Sequence, residues 1–207
     1  MRVIDSSPPP FYGLDIETDT TIDGLDPAVA AVVAVAITGA DFELVFDGSE
    51  SEILTRTDEA LAGLSPGVIV TWNGASFDLP FLAQRAAKLG CELGLRLQLD
   101  PRIPGRHQPL AGHPGSYRAA WFDHRHLDGY QLFRADVGVC LGLSCGLKPL
   151  ARFVGLPVVV VDRERIHELT DAARREYVAS DAHLARRLVA RRPAALAAVD
   201  QLDPSIG

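Results

Sequence analysis

Cysteine is scarce: Cys91, Cys140 and Cys145 are the only three in 207 residues, and no two form a Cys-x-x-Cys pair. An odd count without close pairs is a poor disulfide framework and fits free thiols in a reducing cytoplasm. Long apolar runs are missing as well. The longest, Ala28 to Ile37, holds ten residues, about half of what a membrane helix needs. The opening Met-Arg-Val-Ile-Asp-Ser-Ser-Pro-Pro-Pro lacks the apolar core of a secretory leader. A soluble, cytoplasmic chain with no membrane partner is therefore expected. No internal repeat or low-complexity linker interrupts it, so residues 1–207 read as a single domain with 1–10 as an extended entry.

An excess of positive charge is also absent. Twenty-seven acids against 20 bases leave a net charge of −7, which at first sight argues against a nucleic-acid partner. The distribution says more than the total. Residues 1–100 carry 16 acids and 5 bases, and the remainder carries 11 and 15. With 47% apolar and 23% charged residues, the composition is that of an ordinary globular chain and excludes wholesale disorder.

Periodicity outlines a mixed α/β domain. Phe11–Glu17 reads as a first strand, Ala28–Thr38 as a strand buried on both faces, and Phe42–Phe46 as a third. Ser49–Leu64 has a helical period, Gly67–Trp72 is a buried strand, and Asp78–Leu89 is a helix stopped by Gly90. Residues 93–118, with four prolines, are irregular, and Trp121–Arg125 reads as an edge strand. Asp128 would cap a helix over Gly129–Arg134. A short helix covers Lys148–Val154, whereas Val158–Val161 is too short to assign. The strongest helix runs from Asp171 to Arg192, with Thr170 as its N-cap and Pro193 beyond its end.

Three groups of acids stand out. Asp15 and Glu17 sit two apart in an apolar strand, so their carboxylates share a face. Like charges held that close call for a cation between them, and hard Mg²⁺ prefers carboxylate oxygens. Asp-x-Glu also occurs at Asp41/Glu43 and Asp162/Glu164, where a solvated strand or turn suffices. Asp78 opens a helix after the loop Asn73-Gly-Ala-Ser-Phe77; capping alone would explain an Asp there, but the loop adds an amide beside it. Tyr177 and Asp181 lie four apart on one face of the last helix, and Leu184 and Leu188 continue that face inward. A buried tyrosine hydroxyl satisfied by a nearby acid is the plainer explanation of the pair.

In this order, Asp15-Ile-Glu17-Thr18, Asn73-x-x-x-Phe77-Asp78-x-Pro80 and Tyr177-x-x-x-Asp181 resemble the three motifs of the DEDD superfamily of 3′–5′ exonucleases, the DnaQ-like group. The resemblance spans residues 11–188 and is closest to the tyrosine branch, because Glu176 stands where the histidine branch has His. The motif wording looks most like the proofreading domains of family B DNA polymerases, here as a stand-alone relative too short to hold a polymerase. It implies an RNase H-like mixed central sheet flanked by helices.

It further implies that Asp15, Glu17, Asp78 and Asp181 hold two Mg²⁺ or Mn²⁺ ions, with Tyr177 on the attacking water. Glu17, Thr18, Asn73 and Phe77 would contact the last nucleotides. The expected activity is metal-dependent removal of nucleoside 5′-monophosphates from 3′ ends of single-stranded nucleic acid, DNA ahead of RNA. An RNase D-like ribonuclease and a non-catalytic nucleic-acid-binding or polymerase-accessory module on the same fold are the alternatives. Other features are softer. Phe77 could stack on a base or join the core, whereas Trp72 reads first as a core aromatic and only second as a stacking platform. Arg102, Arg106, Arg118 and Arg125, set among histidines, would either track a phosphate backbone or form a solvated loop. Asp128 is read as a cap, not a fifth ligand, and Arg174, Arg175, Arg186 and Arg187 as a solvated helix face.

Overall fold

The computed structural model describes residues 8–105, 109–142 and 144–192. Seven strands form one mixed sheet: β1 (Phe11–Thr18), β2 (Val32–Thr38), β3 (Glu43–Phe46), β4 (Val68–Thr71), β5 (Leu95–Leu99), β6 (Tyr117–Trp121) and β7 (His124–Asp128). Their order is β3-β2-β1-β4-β7-β6-β5. The central pairs β1/β4 and β4/β7 are parallel and the outer pairs antiparallel. Among the described residues, helices α1 (Glu50–Gly63), α2 (Asp78–Leu89), α3 (Gly129–Phe133), the single turn α4 (Val139–Leu141), α5 (Leu147–Phe153) and α6 (Asp171–Ala190) are joined by a π-helical turn over Arg134–Gly138 and a 3₁₀ turn over Arg163–Glu168. The α/β, mixed-sheet expectation holds.

Alternation along β1 explains the layering. Tyr12, Leu14 and Ile16 enter the large core with Val35 and Ile37 of β2, Ile53, Leu54 and Leu61 of α1, and Leu79, Phe81 and Leu82 of α2. Residues 13, 15 and 17 face the other side, where α6 lies. There Ala34 and Ala36 of β2 pack on Val178, Ala179 and Ala182 of α6. Small residues on both partners let helix and sheet approach closely, and Gly13 marks the tightest point. A Cβ there would stand 2.1 Å from the Ala182 carbonyl oxygen. Farther along α6, Ala185 and Val189 meet Val68 and Val70 of β4, while Leu184 and Leu188 turn to Leu150, Ala151 and Phe133 of the neighbouring helices.

Four expectations need correction. The second strand begins at Val32, because residues 28–31 belong to a turn whose carbonyls at Pro27 and Ala28 receive Arg85 and Lys88. The 93–118 segment is less irregular than read. Leu95-Arg-Leu-Gln-Leu99 alternates and forms β5, an edge strand, and Tyr117–Trp121 forms β6. Trp121–Arg125 is no edge strand but the tight link between β6 and β7, with Phe122 at φ 50°. α6 ends at Ala190 rather than Arg192. Thr170 does cap it, accepting from Ala173 N–H at 3.2 Å. Arg106, Pro193 and the first seven residues of the proposed entry segment lie outside the described residues.

Candidate active site

β1, the loop entering α2, and the first half of α6 meet around one cleft of about 1290 Å³, larger than an ordinary small-molecule pocket of roughly 300–1,000 Å³. Asp15, Glu17, Thr18, Asn73, Phe77, Asp78 and Asp181 all line it. Tyr177 is buried behind them at 1% exposure. The sequence dictates this meeting through local geometry. Asp15 and Glu17 pair with Ala36 and Ala34 across β1/β2, and the register slips between Glu17 and Thr18, a bulge that re-aims the strand end. Asp78 is the first residue of α2, whose N-cap is Phe77 with no capping side chain. The Asp78 carboxylate therefore sits where the helix dipole favours negative charge, and the Ile16 N–H supports its ionised form.

Asp128 holds the loop in between. Its carboxylate accepts from Asn73 N–H and Ala75 N–H, each at 3.0 Å, and from Gln131 N–H at 3.3 Å. It caps α3 as expected, and the Tyr130 N–H supports its ionised form as well. Asn73 lies in the left-handed region at φ 71°, a conformation that Asn tolerates better than most residues. Next to it, Thr71 Oγ1 is 2.8 Å from His126 Nε2, and burial pushes that histidine down to about 3, so it stays neutral.

Electrostatics set the cleft apart from the rest of the surface. All four acids have raised pKa values, with burial the largest cause in each. Asp15 is pushed well above the carboxylate range, next by Asp181, Asp78 and Glu17. Glu17 rises to about 8, next through Asp181, and Asp78 to about 7. Two cations temper this. Lys148 of α5 stands 3.3 Å from Asp181 Oδ2 and 3.7 Å from the Tyr177 ring centroid. Arg163, on the 3₁₀ turn, lines the cleft and lowers Asp15, Glu17, Asp78 and Asp181 through space. Neither cation was legible as part of the site from the sequence.

Hard oxygen donors with raised pKa values suit a divalent cation. Tyr177 Oη lies near enough to the Asp181 carboxylate to favour its ionised form, but neither it nor Asp181 Oδ1, both buried, makes a hydrogen bond of ordinary geometry, which such a ligand or a water would satisfy. As they stand, no group of three or more acids, histidines or cysteines among the described residues is arranged to hold a metal ion. Lys148 and Arg163 balance the acids in the present form.

The softer candidates divide. Thr18 lines the cleft, but its hydroxyl donates to the Gly24 carbonyl at 2.7 Å and so fixes the loop after β1. Phe77 is half-buried against Phe81, with part of its ring open to the cleft. Trp72 donates Nε1–H to the Cys145 carbonyl at 3.1 Å and packs on Phe133, which makes it chiefly a core residue. Within the basic stretch, Arg102 and Arg118 both grip Asp100, His124 and His126 are buried, and Arg106 lies outside the described residues. Arg174 pairs with Asp171 and Arg175 with Asp47 on the outer face of α6.

Fold and site thus define an α/β domain with an acid-lined cleft where the central strand meets its last helix. Comparison with known proteins gives the family. The model for the exonuclease domain of DNA polymerase family B matches residues 25–137, more than half of the chain. That stretch contains Asn73, Phe77 and Asp78 but neither Asp15/Glu17 nor Tyr177/Asp181. A DNA polymerase of Pyrococcus glycovorans is 49% identical over 47 residues, covering 23% of this chain and 6% of the polymerase. DNA polymerase 1 of Pyrococcus abyssi is 45% identical over 64 residues, covering 30% and 8%. The structure of the family B DNA polymerase from Pyrobaculum calidifontis superposes with a TM-score of 0.64 at 21% identity, over 89% of this chain and 24% of that one. The chain belongs to the family B DNA polymerase exonuclease-domain family, a class of 3′–5′ exonucleases. The match covers under a tenth of the two Pyrococcus polymerases and 24% of the Pyrobaculum one. Among the described residues no helix is long and apolar enough to cross a membrane.

Proposed function

We propose that this chain removes nucleoside 5′-monophosphates one at a time from the 3′ end of single-stranded nucleic acid, DNA in preference to RNA, with divalent metal ions as cofactor. One observation carries the reading: Asp15, Glu17, Asp78 and Asp181, from three separate elements, converge on one cleft with Tyr177 at its back.

Asp15, Glu17, Asp78 and Asp181 are the residues that would hold two Mg²⁺ or Mn²⁺ ions. Bound there, such ions would lower the pKa of a water towards neutrality and stabilise the charge on the leaving 3′ oxygen. Tyr177 orients the attacking water and does not deprotonate it. Burial, and then the Asp181 and Glu17 carboxylates, drive its phenol above the ordinary value of 10, so it keeps its proton at neutral pH. Its buried hydroxyl, beside the Asp181 carboxylate, would hydrogen-bond that water. Glu17, at the strand end, would also meet the terminal 3′-hydroxyl. Asn73 and Phe77, which line the cleft, would receive the last base, a stack worth about 1–3 kcal/mol. Thr18 contributes by fixing the loop that walls the cleft.

The test is a 5′-labelled oligonucleotide, offered as single-stranded DNA, single-stranded RNA or blunt duplex with Mg²⁺, Mn²⁺ or EDTA. A ladder shortening from the 3′ end, fastest on single-stranded DNA and lost in EDTA, is expected. Faster RNA shortening would favour the ribonuclease reading. Tight binding without cleavage would leave a binding module.

A further inference from the structure

Beyond β4 the sheet carries a separate cavity of about 340 Å³, within the range of small-molecule sites, roughly 300–1,000 Å³. Strand register explains it. Ala120 of β6 pairs with Arg96 of β5 on one side and with Arg125 of β7 on the other, and directly opposed residues share a face. Arg118, two residues before Ala120, shares that face too. The opposite face is core, where Ala119 and Trp121 are buried with Leu95 and Leu97 packed against them. Three long cationic side chains therefore surround one methyl group, and the alanine leaves a hollow between them. Ile103 and Leu132 of α3 add apolar walls.

Like charges on neighbouring strands repel, so arginines gathered on one face call for anions. Asp123, in the link between β6 and β7, lines the cavity and is one. Asp100 is a shared one, since Arg102 and Arg118 both bind it. Asp128 also lines the cavity, but its carboxylate is given over to the N–H groups of Asn73, Ala75 and Gln131. Arg96, Arg102, Arg118 and Arg125 thus stand against Asp100 and Asp123, with two positive charges in surplus. Arg96 donates to the Phe122 carbonyl at 3.0 Å and Arg118 donates Nε–H to Asp100. A guanidinium carries five N–H donors, so both keep others to give.

We infer that this cavity binds a small phosphomonoester, and that its ligand is the nucleoside 5′-monophosphate released by the acid-lined cleft. A phosphomonoester carries about −1.5 to −2 at neutral pH, which matches the surplus, and its oxygens match the planar forks of the arginines. Ile103 and Leu132 give the base an apolar side to rest on. The source of the ligand is one wall away. Ala75 lines the cavity while Asn73 and Phe77 line the cleft, and Ile103 lines the cavity while Gly105 lines the cleft. That the ligand is a nucleotide rests on the exonuclease reading above; that the cavity takes an anion does not.

Isothermal titration in EDTA tests the site with three probes: thymidine 5′-monophosphate, thymidine and inorganic phosphate. Wild type should bind the monophosphate saturably, and each of the other two at least about tenfold more weakly. Losing a hydrogen bond to a charged group costs about tenfold or more, so Arg96→Gln with Arg125→Gln should weaken the monophosphate by about 100-fold. Ala120→Leu leaves every charge in place and fills the hollow, and it should abolish binding. If the double variant fails to fold, Ala120→Leu and the single variant Arg96→Gln, on the edge strand, carry the test. Phe77→Ala, in the cleft, should bind as wild type does. Absence of saturable binding, or wild-type affinity in the cavity variants, would overturn the inference. So would a loss in Phe77→Ala alone, which would place the ligand in the cleft. Phosphate binding as tightly as the monophosphate would overturn the nucleotide as ligand. If wild type fails to shorten 3′ ends, the exonuclease reading falls, and the titration still decides whether the cavity takes a phosphomonoester.

Discussion

Gly13→Ala tests the packing that brings the two halves of the site together. A Cβ at residue 13 would stand 2.1 Å from the Ala182 carbonyl oxygen and 2.7 Å from Thr38 Oγ1. The first contact is backbone, so it cannot be relieved by rotating a side chain. Reaching the ordinary 3.4 Å separation requires α6 and β1 to part by about 1.3 Å. Overpacking of this kind costs about 1–3 kcal/mol. In a domain of this size that corresponds to a drop in Tm of roughly 2–12 °C. Catalysis should suffer more than stability. Tyr177 and Asp181 ride on the same helix one turn and one residue before Ala182, and a 1 Å misplacement costs about 10²-fold in rate. Differential scanning calorimetry and single-turnover kinetics on folded protein measure the two effects. A variant with wild-type Tm and wild-type turnover would refute the claim that close approach at Gly13 sets the site.

Metal-free protein should lose stability as pH rises from about 5 to 8. Glu17 and Asp78 hold their protons to about 8 and 7 in the folded state but release them near 4 when unfolded, so the folded form binds more protons across this window. Urea denaturation in EDTA measures it, Glu17→Gln and Asp78→Asn should flatten the trend, and a rise in stability through the window would contradict it. Tyr177→Phe should keep appreciable kcat/KM in steady-state assays, because the phenol orients a water; loss as complete as in Asp181→Ala would point to proton transfer instead. Asp128→Ala should destabilise by about 1–3 kcal/mol, since it leaves the Asn73, Ala75 and Gln131 N–H groups without their acceptor. Chemical denaturation reports the loss, and a change below a few tenths of a kcal/mol would show that the loop holds itself.

What the sequence made legible follows from how local the signals were. Gly90 stops α2 in the left-handed conformation at φ 67°, Thr170 caps α6, and Asp128 caps α3, each readable from a few adjacent residues. β5 and β6 were hidden because prolines and glycines between them obscured the alternation of Leu95–Leu99, which a sheet edge leaves weak. Leu184 and Leu188 were read correctly as buried. Their neighbours are α3 and α5, not the sheet, a distinction that period alone does not make. The cleft acids sit in motifs of fixed spacing and so could be named. Lys148 and Arg163 could not, because their importance comes from where α5 and the 3₁₀ turn return in space. Arg163 lies between Asp162 and Glu164, a spacing that reads as a solvated turn. The acidic balance of residues 1–100 has a local meaning as well, since Asp15, Glu17 and Asp78 fall within it.

The central claim is that four carboxylates from three elements act together as one divalent-cation site. Isothermal titration of Mn²⁺ into metal-free protein, compared with Asp15→Asn, tests it most directly. The account predicts saturable binding of about two ions per chain that weakens or loses stoichiometry in the variant. Absence of saturable binding, or identical isotherms for the two proteins, would contradict it.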